Sequence, residues 1–259
     1  MIKKYTGAAW VSVPVKVYDG AEWDYADVRK FVSPNWEYIN GLKYDEDLSD
    51  GLVHYWSFDT NGSDQIGSCD LTVDGATYSA SGGKIDGYYS LDGTNDKLRA
   101  ATGLTSLSDF TINMWLYPDN VSAEIQGYIL SLGYNVDNSM LFFYNATNPN
   151  VLKIALNEGT NAYTSDDMLT ATTWQMVTIQ RDSDDLYLYI NNVLVHSWSS
   201  VDTTAIDTGV FEIGWATERA FDDDRYWAGD VDETGVWTKS LTDAERLKLY
   251  NYTKARFYE

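Results

Sequence analysis

An acidic loop at residues 59–64 carries side chains suited to bind a metal ion. Asp59, Asn61 and Asp64 lie at alternate or nearly alternate positions around Gly62, so their oxygen atoms can converge on one point. Calcium takes about six to eight oxygen ligands from carboxylates, amides and backbone carbonyls. The spacing predicts a calcium site, and the alternative is that these side chains bond only to the backbone of their own turn.

Other chemistries have less support in the sequence. A second acidic run, Asp222 to Asp224, is interpreted as a solvated loop, and the histidines His54 and His196 are too isolated to predict zinc. The chain has no Gly-x-Ser-x-Gly turn, no Cys/His arrangement for nucleophilic catalysis and no glycine-rich phosphate loop. We therefore predict that the protein is not an enzyme.

The charge balance excludes two classes of partner. Lysine and arginine total 18 against 39 aspartates and glutamates, and the net charge of -21 argues against nucleic acid and anionic membranes. No apolar run approaches the roughly 20 residues of a membrane span, which argues against membrane insertion. The first residues alternate instead of forming the apolar stretch of a secretory signal, so we expect synthesis in a cytoplasm.

Residues 1–40 contain a repeat with a period of 13 residues. The first two units carry Thr-Gly and Asp-Gly pairs, which supply the positive φ angles of a hairpin turn, and the intervening residues alternate as in strands. The pattern predicts a short β-meander, too small to bury a core without a partner or a trimeric neighbour. The alternative is an extension that packs on its own globular domain. The aromatic residues that define the repeat are the predicted attachment residues: Tyr5, Trp10, Tyr18, Trp23, Phe31 and Trp36.

The repeat, written Tyr-x-Gly-x-x-Trp followed by a Val-rich strand, resembles modules of bacteriophage tail and other virion appendage proteins. The resemblance covers about residues 1–40 and implies a role in attachment to a phage particle. Residues 41–50 are polar and acidic and are predicted to be a linker.

Residues 51–259 show the pattern of an all-β domain. Short alternating runs are separated by Gly, Asn, Asp and Ser, which is typical of an antiparallel sandwich. Asn191-Asn192 predicts a two-residue hairpin turn. One short helix is predicted near the C-terminus, where Thr242 and Glu245 form a capping box, and we expect it to close an edge or end of the sandwich.

Several segments of this domain resemble, in order, a laminin G-like domain of the concanavalin A-like superfamily. They include Leu52 to Asp59, Gly83 to Gly87, Phe110 to Pro118, Leu186 to Val195 and Gly229 to Trp237, and the resemblance covers about residues 51–252. It implies a jelly-roll of two antiparallel sheets, with loops that bind ligands in many relatives. We expect the tryptophans of these strands, namely Trp56, Trp115, Trp174 and Trp237, to lie in the core.

The resemblance also bears on the metal and on catalysis. Relatives often bind calcium, and Asp232 or Glu233 matches an Asp-Glu pair of the family that could supply a further ligand. Glycosidases of the superfamily carry Glu-x-Asp-x-x-Glu on one strand, and that pattern is absent here. Asp230 and Asp232 share a strand face but are better explained by metal binding or solvation.

Together these features predict a phage virion protein of the tail, baseplate or capsid, which displays a lectin-like domain toward host-surface glycan. Residues 1–40 would contact other virion proteins, and the assembly would be a homo-oligomer such as a trimer. The net charge favours a neutral glycan. The alternatives are a structural decoration or adhesion protein that binds no sugar, and a carbohydrate-binding module of a bacterial protein. The predicted glycan-binding residues lie in loops that follow strands: Tyr134, Tyr163, Trp215, Glu218, Arg219, Asp224, Arg225 and Tyr226.

Overall fold

A computed structural model describes the chain in ranges separated by short gaps. The described residues are 2–5, 10–13, 16–18, 23–25, 29–32, 35–38, 46–120, 127–133, 137–144, 151–157, 161–165, 169–216 and 225–254. They fall into two units, Met1–Ser49 and Asp50–Glu259. No helix in these ranges is both long enough and apolar enough to cross a lipid bilayer.

The N-terminal unit contains one antiparallel hairpin for each 13-residue repeat. The strands are β1 (Ile2–Tyr5), β2 (Trp10–Val13), β3 (Lys16–Tyr18), β4 (Trp23–Tyr25), β5 (Arg29–Val32) and β6 (Asn35–Tyr38). Each hairpin pairs the two positions that define its repeat, namely Tyr5 with Trp10, Tyr18 with Trp23 and Phe31 with Trp36. The described strands form three two-stranded sheets, whereas the sequence predicted a short β-meander. A one-turn helix, α1 (Glu46–Ser49), lies in the predicted linker and was not expected from the sequence.

The C-terminal unit is the predicted all-β sandwich of two antiparallel sheets with one helix at its C-terminal end. Its elements are β7 (Leu52–Trp56), β8 (Thr72–Asp74), β9 (Thr77–Ser79), β10 (Tyr88–Asp92), β11 (Lys97–Ala100), β12 (Phe110–Pro118), β13 (Tyr128–Leu132), β14 (Met140–Tyr144), β15 (Leu152–Leu156), β16 (Asn161–Thr164), β17 (Gln175–Asp182), β18 (Asp185–Ile190), β19 (Val193–Ser199), β20 (Phe211–Ile213), β21 (Ala228–Trp237) and α2 (Asp243–Lys254).

The two sheets differ in strand order. The eight-stranded sheet runs β19-β18-β17-β12-β21-β10-β9, and β7 pairs with the second half of β21. The seven-stranded sheet runs β16-β15-β14-β13-β20-β11-β8. In both sheets the central strands come from distant parts of the sequence: β12 pairs with β21, and β20 lies between β13 and β11. The sandwich is therefore complete only when early and late strands of the C-terminal unit have paired.

Strand periodicity places the core between the sheets. On β12, Phe110, Ile112, Met114 and Leu116 belong to the buried cluster shared by both sheets, so the intervening residues face outward. Opposite β12, strand β21 has a bulge near Glu233, whose φ is 45°, and the register shifts there.

The four predicted core tryptophans differ in their surroundings. Trp56 lies in the cluster between the sheets, whereas Trp115 and Trp237 are buried outside it. Trp174 is only half-buried, which corrects the prediction that it is a core residue. It immediately precedes β17, where the strand pairing with β12 has not yet begun.

Helix α2 begins at the predicted capping box. The backbone N–H of Glu245 donates to Thr242 Oγ1 at 3.3 Å, and Glu245 accepts the Thr242 backbone N–H at 2.7 Å. Tyr250 stacks on Trp115 with ring centroids 6.1 Å apart. The helix therefore packs on the outer face of the eight-stranded sheet, whereas the sequence predicted that it closes an edge or end of the sandwich.

A buried arginine joins two loops at one end of the sandwich. The Arg181 guanidinium donates hydrogen bonds to four backbone carbonyls, those of Leu107, Ser108, Asp202 and Thr204, at 2.6 to 3.2 Å. Leu107 also pairs with Ile206 in an isolated bridge, so the loop before β12 and the loop before β20 are fastened to each other and to β17.

Candidate functional site

An aromatic group lies on the outer face of the seven-stranded sheet. Trp215 and Tyr226 stack with ring centroids 4.0 Å apart and planes 13° from parallel. Tyr128 meets Trp215 edge-on at 6.3 Å, and Phe143 lies 5.6 Å from Tyr128. We call these four residues together with Arg225 the Trp215 site.

Backbone contacts from three parts of the chain hold the Trp215 site. Tyr128 begins β13 and pairs with Tyr226 in an isolated parallel bridge, and its N–H donates to the Arg225 carbonyl at 3.0 Å. The Trp227 N–H donates to the Gly214 carbonyl at 3.0 Å, directly before Trp215. The stack therefore depends on the docking of residues 225–227 between β13 and the end of β20.

Gly214 determines where Trp215 leaves the sheet. Its φ is 90°, in the region that favours glycine, and an added Cβ would lie 2.2 Å from a methyl carbon of Leu91. Leu91 is a fully buried core residue of the other sheet. The close approach of Gly214 to Leu91 therefore requires glycine at this turn. After the turn, the Trp215 ring lies on the outer face of the sheet.

The Trp215 site combines apolar faces with hydrogen-bonding groups. Trp215, Tyr226 and Arg225 are half-buried, whereas Tyr128 is buried beneath them. Arg225 Nη1 donates to the Tyr128 hydroxyl at 3.3 Å. On the same outer face, Glu212 is buried and faces Arg99 across the strands at 3.6 Å. Stacked rings beside guanidinium and carboxylate groups are what sugar binding requires, because a pyranose has apolar C–H faces and hydroxyls at its rim.

The structure brings together three of the eight predicted glycan-binding residues, namely Trp215, Arg225 and Tyr226. Tyr163 lies apart: it packs against the inter-sheet core, contacts Trp198 at 6.0 Å, and its hydroxyl accepts the Asp202 N–H. The other four predictions lie outside the described residues: Tyr134, Glu218, Arg219 and Asp224.

Tyr128 and Phe143 were missed because their strands contain almost only apolar residues. Such strands predict burial on both faces and conceal the aromatic side chains that face outward. The β-bulge between Tyr128 and Leu130 also breaks the alternation that could have identified the outer face.

Asp64, one of the predicted calcium ligands, is part of a buried hydrogen-bond network. His54 Nδ1 donates to Asp64 Oδ2 at 2.6 Å, and the backbone N–H groups of Tyr55, Ile66, Gly67 and Cys69 donate to the same carboxylate at 3.0 to 3.1 Å. Burial alone would raise the pKa of Asp64, but the hydrogen bonds from His54 and the backbone outweigh it and lower the pKa. The carboxylate thus closes the loop of residues 54–69.

The same loop contains the single cysteine. The Cys69 thiol is buried, and burial together with the nearby charges of Asp64 and Asp70 raises its pKa to about 12. The Cys69 carbonyl accepts the indole N–H of Trp56 at 2.9 Å. The loop is therefore joined to the core by the buried Cys69 side chain and by the Cys69 carbonyl.

The remaining predicted metal ligands fall into two places. Asn61 Oδ1 accepts the Ser63 N–H at 2.9 Å, which is the turn bond given above as the alternative. Asp232 is fully buried, and its oxygens accept the backbone N–H groups of Ile85 and Glu233 at 2.8 Å. Glu233 accepts a hydrogen bond from the Tyr55 hydroxyl. Burial raises the pKa of Asp232 well above its usual range, and the charges of Glu233 and Asp59 raise it further.

The loop of residues 83–87 runs between Asp59 and Asp232. An added Cβ on Gly83 would lie 2.5 Å from the Gly87 carbonyl oxygen and 2.8 Å from Asp232 Oδ2. A Cβ on Gly87 would lie 3.0 Å from the carbonyl oxygens of Phe58 and Asp59. Carboxylate and carbonyl oxygens therefore crowd around these glycines, and they are the donors that calcium prefers. In the described ranges, no three His, Cys, Asp or Glu side chains form a ready-made metal cluster.

The carboxylates Asp230 and Asp232 share one strand face, as the sequence predicts, because they face Tyr117 and Trp115 on β12. Only Asp230 is within reach of solvent, since Asp232 is fully buried. A glycosidase needs two carboxyl groups facing one sugar, so this pair is unsuited to glycoside hydrolysis.

Comparison with known proteins identifies the fold. A family model described as the concanavalin A-like lectin/glucanases superfamily matches residues 92–245, which is more than half of the chain. No curated protein sequence matches.

Several solved structures are similar in fold. Domain 4 of AbnA, a GH43 extracellular arabinanase from Geobacillus stearothermophilus solved with arabinotriose, is 18% identical with a TM-score of 0.62, and the match covers 77% of this chain and 98% of that one. A SAP-like pentraxin from Limulus polyphemus is 18% identical with a TM-score of 0.50, covering 62% and 77%. Botulinum neurotoxin type C, whose cell entry depends on two ganglioside molecules, is 14% identical with a TM-score of 0.61, covering 80% and 53%.

Proposed function

The chain belongs to the concanavalin A-like lectin/glucanases superfamily, and from this premise we propose that it is a non-catalytic glycan-binding protein of a bacteriophage virion. The observation that carries the glycan-binding part is the Trp215–Tyr226 stack beside Arg225. Similar folds occur in a domain solved with arabinotriose and in a toxin that interacts with gangliosides, which supports a sugar ligand.

The chemistry of the Trp215 site favours a neutral glycan. A sugar ring would stack its C–H face on Trp215 or Tyr226, and the Arg225 guanidinium would donate to ring hydroxyls. The net charge of -21 repels a polyanionic glycan unless a cation bridges the two. Binding therefore rests on stacking and a few hydrogen bonds, which is typical of weak sites that gain affinity from several copies.

The virion part of the proposal rests on the N-terminal unit. Its three hairpins follow the 13-residue repeat, and the repeat resembles phage appendage modules. Two-stranded hairpins are marginally stable alone, so a partner surface on the particle would stabilise them. The attachment residues defined above are the ones that we propose to contact that surface.

A second candidate function is that of a carbohydrate-binding module of a bacterial protein. It is favoured by the coverage of 98% of the arabinanase domain, which is a module within a larger enzyme. This candidate keeps the Trp215 site as the glycan site and differs only in what the N-terminal hairpins contact.

We also propose that the protein binds calcium near Asp59 and Asp232 and not through Asn61 or Asp64. The fit rests on the oxygen-rich contacts of Gly83 and Gly87 with these two residues. A cation there would neutralise the buried carboxylates and stabilise the loop of residues 83–87.

The glycan proposal is tested on a glycan array with the full-length protein, in calcium and in a chelator. We expect binding to a neutral glycan and about a fivefold or greater loss of affinity for Trp215→Ala, because stacking on an aromatic ring contributes about 1 kcal/mol. Tyr187→Ala, on the other sheet, is the matched control and should bind as the wild type does. Absence of binding under both conditions contradicts the proposal, and loss of binding in chelator alone supports the calcium site.

The virion proposal is tested by deleting residues 1–40 and purifying particles from host cells. We expect the truncated protein to be missing from the particles, since the hairpins would supply the contacts with other virion proteins. Full-length Trp215→Ala is the control and should be incorporated normally. Particles that still carry the truncated protein would show that attachment lies outside residues 1–40. Absence of the full-length protein from the particles would favour the second candidate.

A further inference from the structure

The outer face of the eight-stranded sheet carries several aromatic rings, and two of them are covered by cations from the same chain. The Arg246 guanidinium of α2 lies 3.9 Å from the ring centroid of Tyr189, and Lys84 Nζ lies 4.2 Å from that of Trp115. Both contacts are cation–π interactions, which become stronger when water is excluded. This face therefore already pairs aromatic rings with positive charge in two places.

A third aromatic group on the same face has no such cover. Trp174 lies 5.6 Å from Tyr117 and 6.0 Å from Tyr88, with ring planes inclined by 55° and 83°. All three rings are half-buried, and we call them the Trp174 cluster. In the described part of the chain, no lysine or arginine lies over these rings.

Two carboxylates border the Trp174 cluster. Asp230 lies between Ser90 of β10 and Tyr117 of β12 in the strand register, on the same outer face. Asp119 directly follows β12 and acts on Asp230 through its charge. Asp230 is half-buried and accepts a hydrogen bond from the Ser90 side chain, which holds its carboxylate at the border of the cluster.

The indole of Trp174 is oriented by a hydrogen bond. Its Nε1 donates to the Gly82 carbonyl at 3.3 Å, so the polar edge is already engaged. The ring face and the neighbouring tyrosines remain for contact with a ligand. Half-buried rings with carboxylates at their border combine the two features that attract an ammonium group, a π face and negative charge.

We infer that the Trp174 cluster and Asp230 form a second sugar-binding site, which takes an amino sugar through its protonated amine. The ammonium group would lie against the aromatic rings and donate to the Asp230 carboxylate, and the C–H face of the pyranose would contact Trp174. The site lies on the opposite sheet from the Trp215 site and does not depend on it. The negative charge of the chain disfavours acidic sugars but favours this ligand.

The test compares three sugars that differ only at carbon 2. Full-length protein is titrated at pH 7 with glucosamine, N-acetylglucosamine and glucose, and binding is followed by NMR chemical shifts of the tryptophan indole N–H groups. We expect glucosamine to shift the Trp174 resonance in a saturable way, and the two neutral sugars to shift the same resonance with at least tenfold weaker affinity.

Two variants locate the site. Tyr88→Ala and Asp230→Asn both keep the Trp174 indole as the probe, and each should weaken the glucosamine affinity read from it at least tenfold. Asp230→Asn removes the charge with little change in shape. Trp215→Ala should leave the glucosamine response of the Trp174 resonance unchanged, so failure of the first site and of this site are distinguishable. Equal binding of all three sugars, or no binding of glucosamine, would overturn the inference. Binding of the amine of Nα-acetyl-lysine amide without binding of glucosamine would also overturn it, since it would point to a protein ligand.

Discussion

Asp64→Asn is expected to lower the free energy of unfolding of the C-terminal unit by about 3 to 5 kcal/mol. The carboxylate is buried and accepts hydrogen bonds from His54 and from four backbone N–H groups. Asparagine keeps one acceptor oxygen and places an N–H₂ group against donors, so several buried groups lose their partner. Urea denaturation followed by tryptophan fluorescence measures the change.

The control for Asp64 is Asp70→Asn in the same loop. Asp70 is exposed and accepts a single bond, from the Asp64 backbone N–H at 2.8 Å, so we expect a loss below about 1 kcal/mol. Equal losses for the two variants would contradict the special role of Asp64.

The contribution of Asp64 to the free energy of unfolding should decrease at low pH. Because the folded protein lowers the pKa of Asp64 below its ordinary 3.8, the ionised carboxylate stabilises the fold above that value. This contribution is lost as the pH falls through the lowered pKa. The difference between wild type and Asp64→Asn should therefore be constant from pH 7 to about 5 and shrink below about pH 4.

Arg181→Leu is expected to destabilise the C-terminal unit by at least about 3 kcal/mol. The substitution removes the donors that satisfy four buried carbonyls in the loops before β12 and β20. Burial lowers the pKa of Arg181, with the charges of Asp109 and Asp202 opposing, and the group remains charged at neutral pH.

Arg181→Lys separates charge from geometry. Lysine keeps the positive charge but lacks the planar fork, so it cannot reach carbonyls of both loops, and we expect it to recover less than half of the loss. The free energies of unfolding are measured as for Asp64. A value for Arg181→Leu within 1 kcal/mol of the wild type would contradict the role of this residue in joining the loops.

Local sequence patterns, which involve residues close together in the chain, made most of the sandwich predictable. The Asn191-Asn192 turn has φ angles of 51° and 62°, as the hairpin prediction requires, and α2 begins at its predicted capping box. Strands β8 and β9 were missed because nearly all of their residues are exposed. An exposed edge strand of three residues has no alternation of apolar and polar positions, so the sequence carries no signal for it.

The candidate site could be predicted only in part, because its residues meet through pairing between distant strands. Trp215, Arg225 and Tyr226 were predicted from their place in loops after strands, but their stacking depends on contacts near residues 127–128 and 214. Likewise, Asp64 was predicted as a metal ligand because oxygen-bearing side chains lie at nearly alternate positions around Gly62. Its partner His54 lies within the strand β7, and no local pattern connects the two.

The burial of Cys69 makes its thiol a reporter of local unfolding. The thiol is the single one in the sequence, and a pKa of about 12 leaves almost no thiolate in the folded state at neutral pH. An alkylating reagent will therefore label only those molecules in which the loop of residues 54–69 has opened. The rate of labelling then counts these openings directly, without any added reporter group.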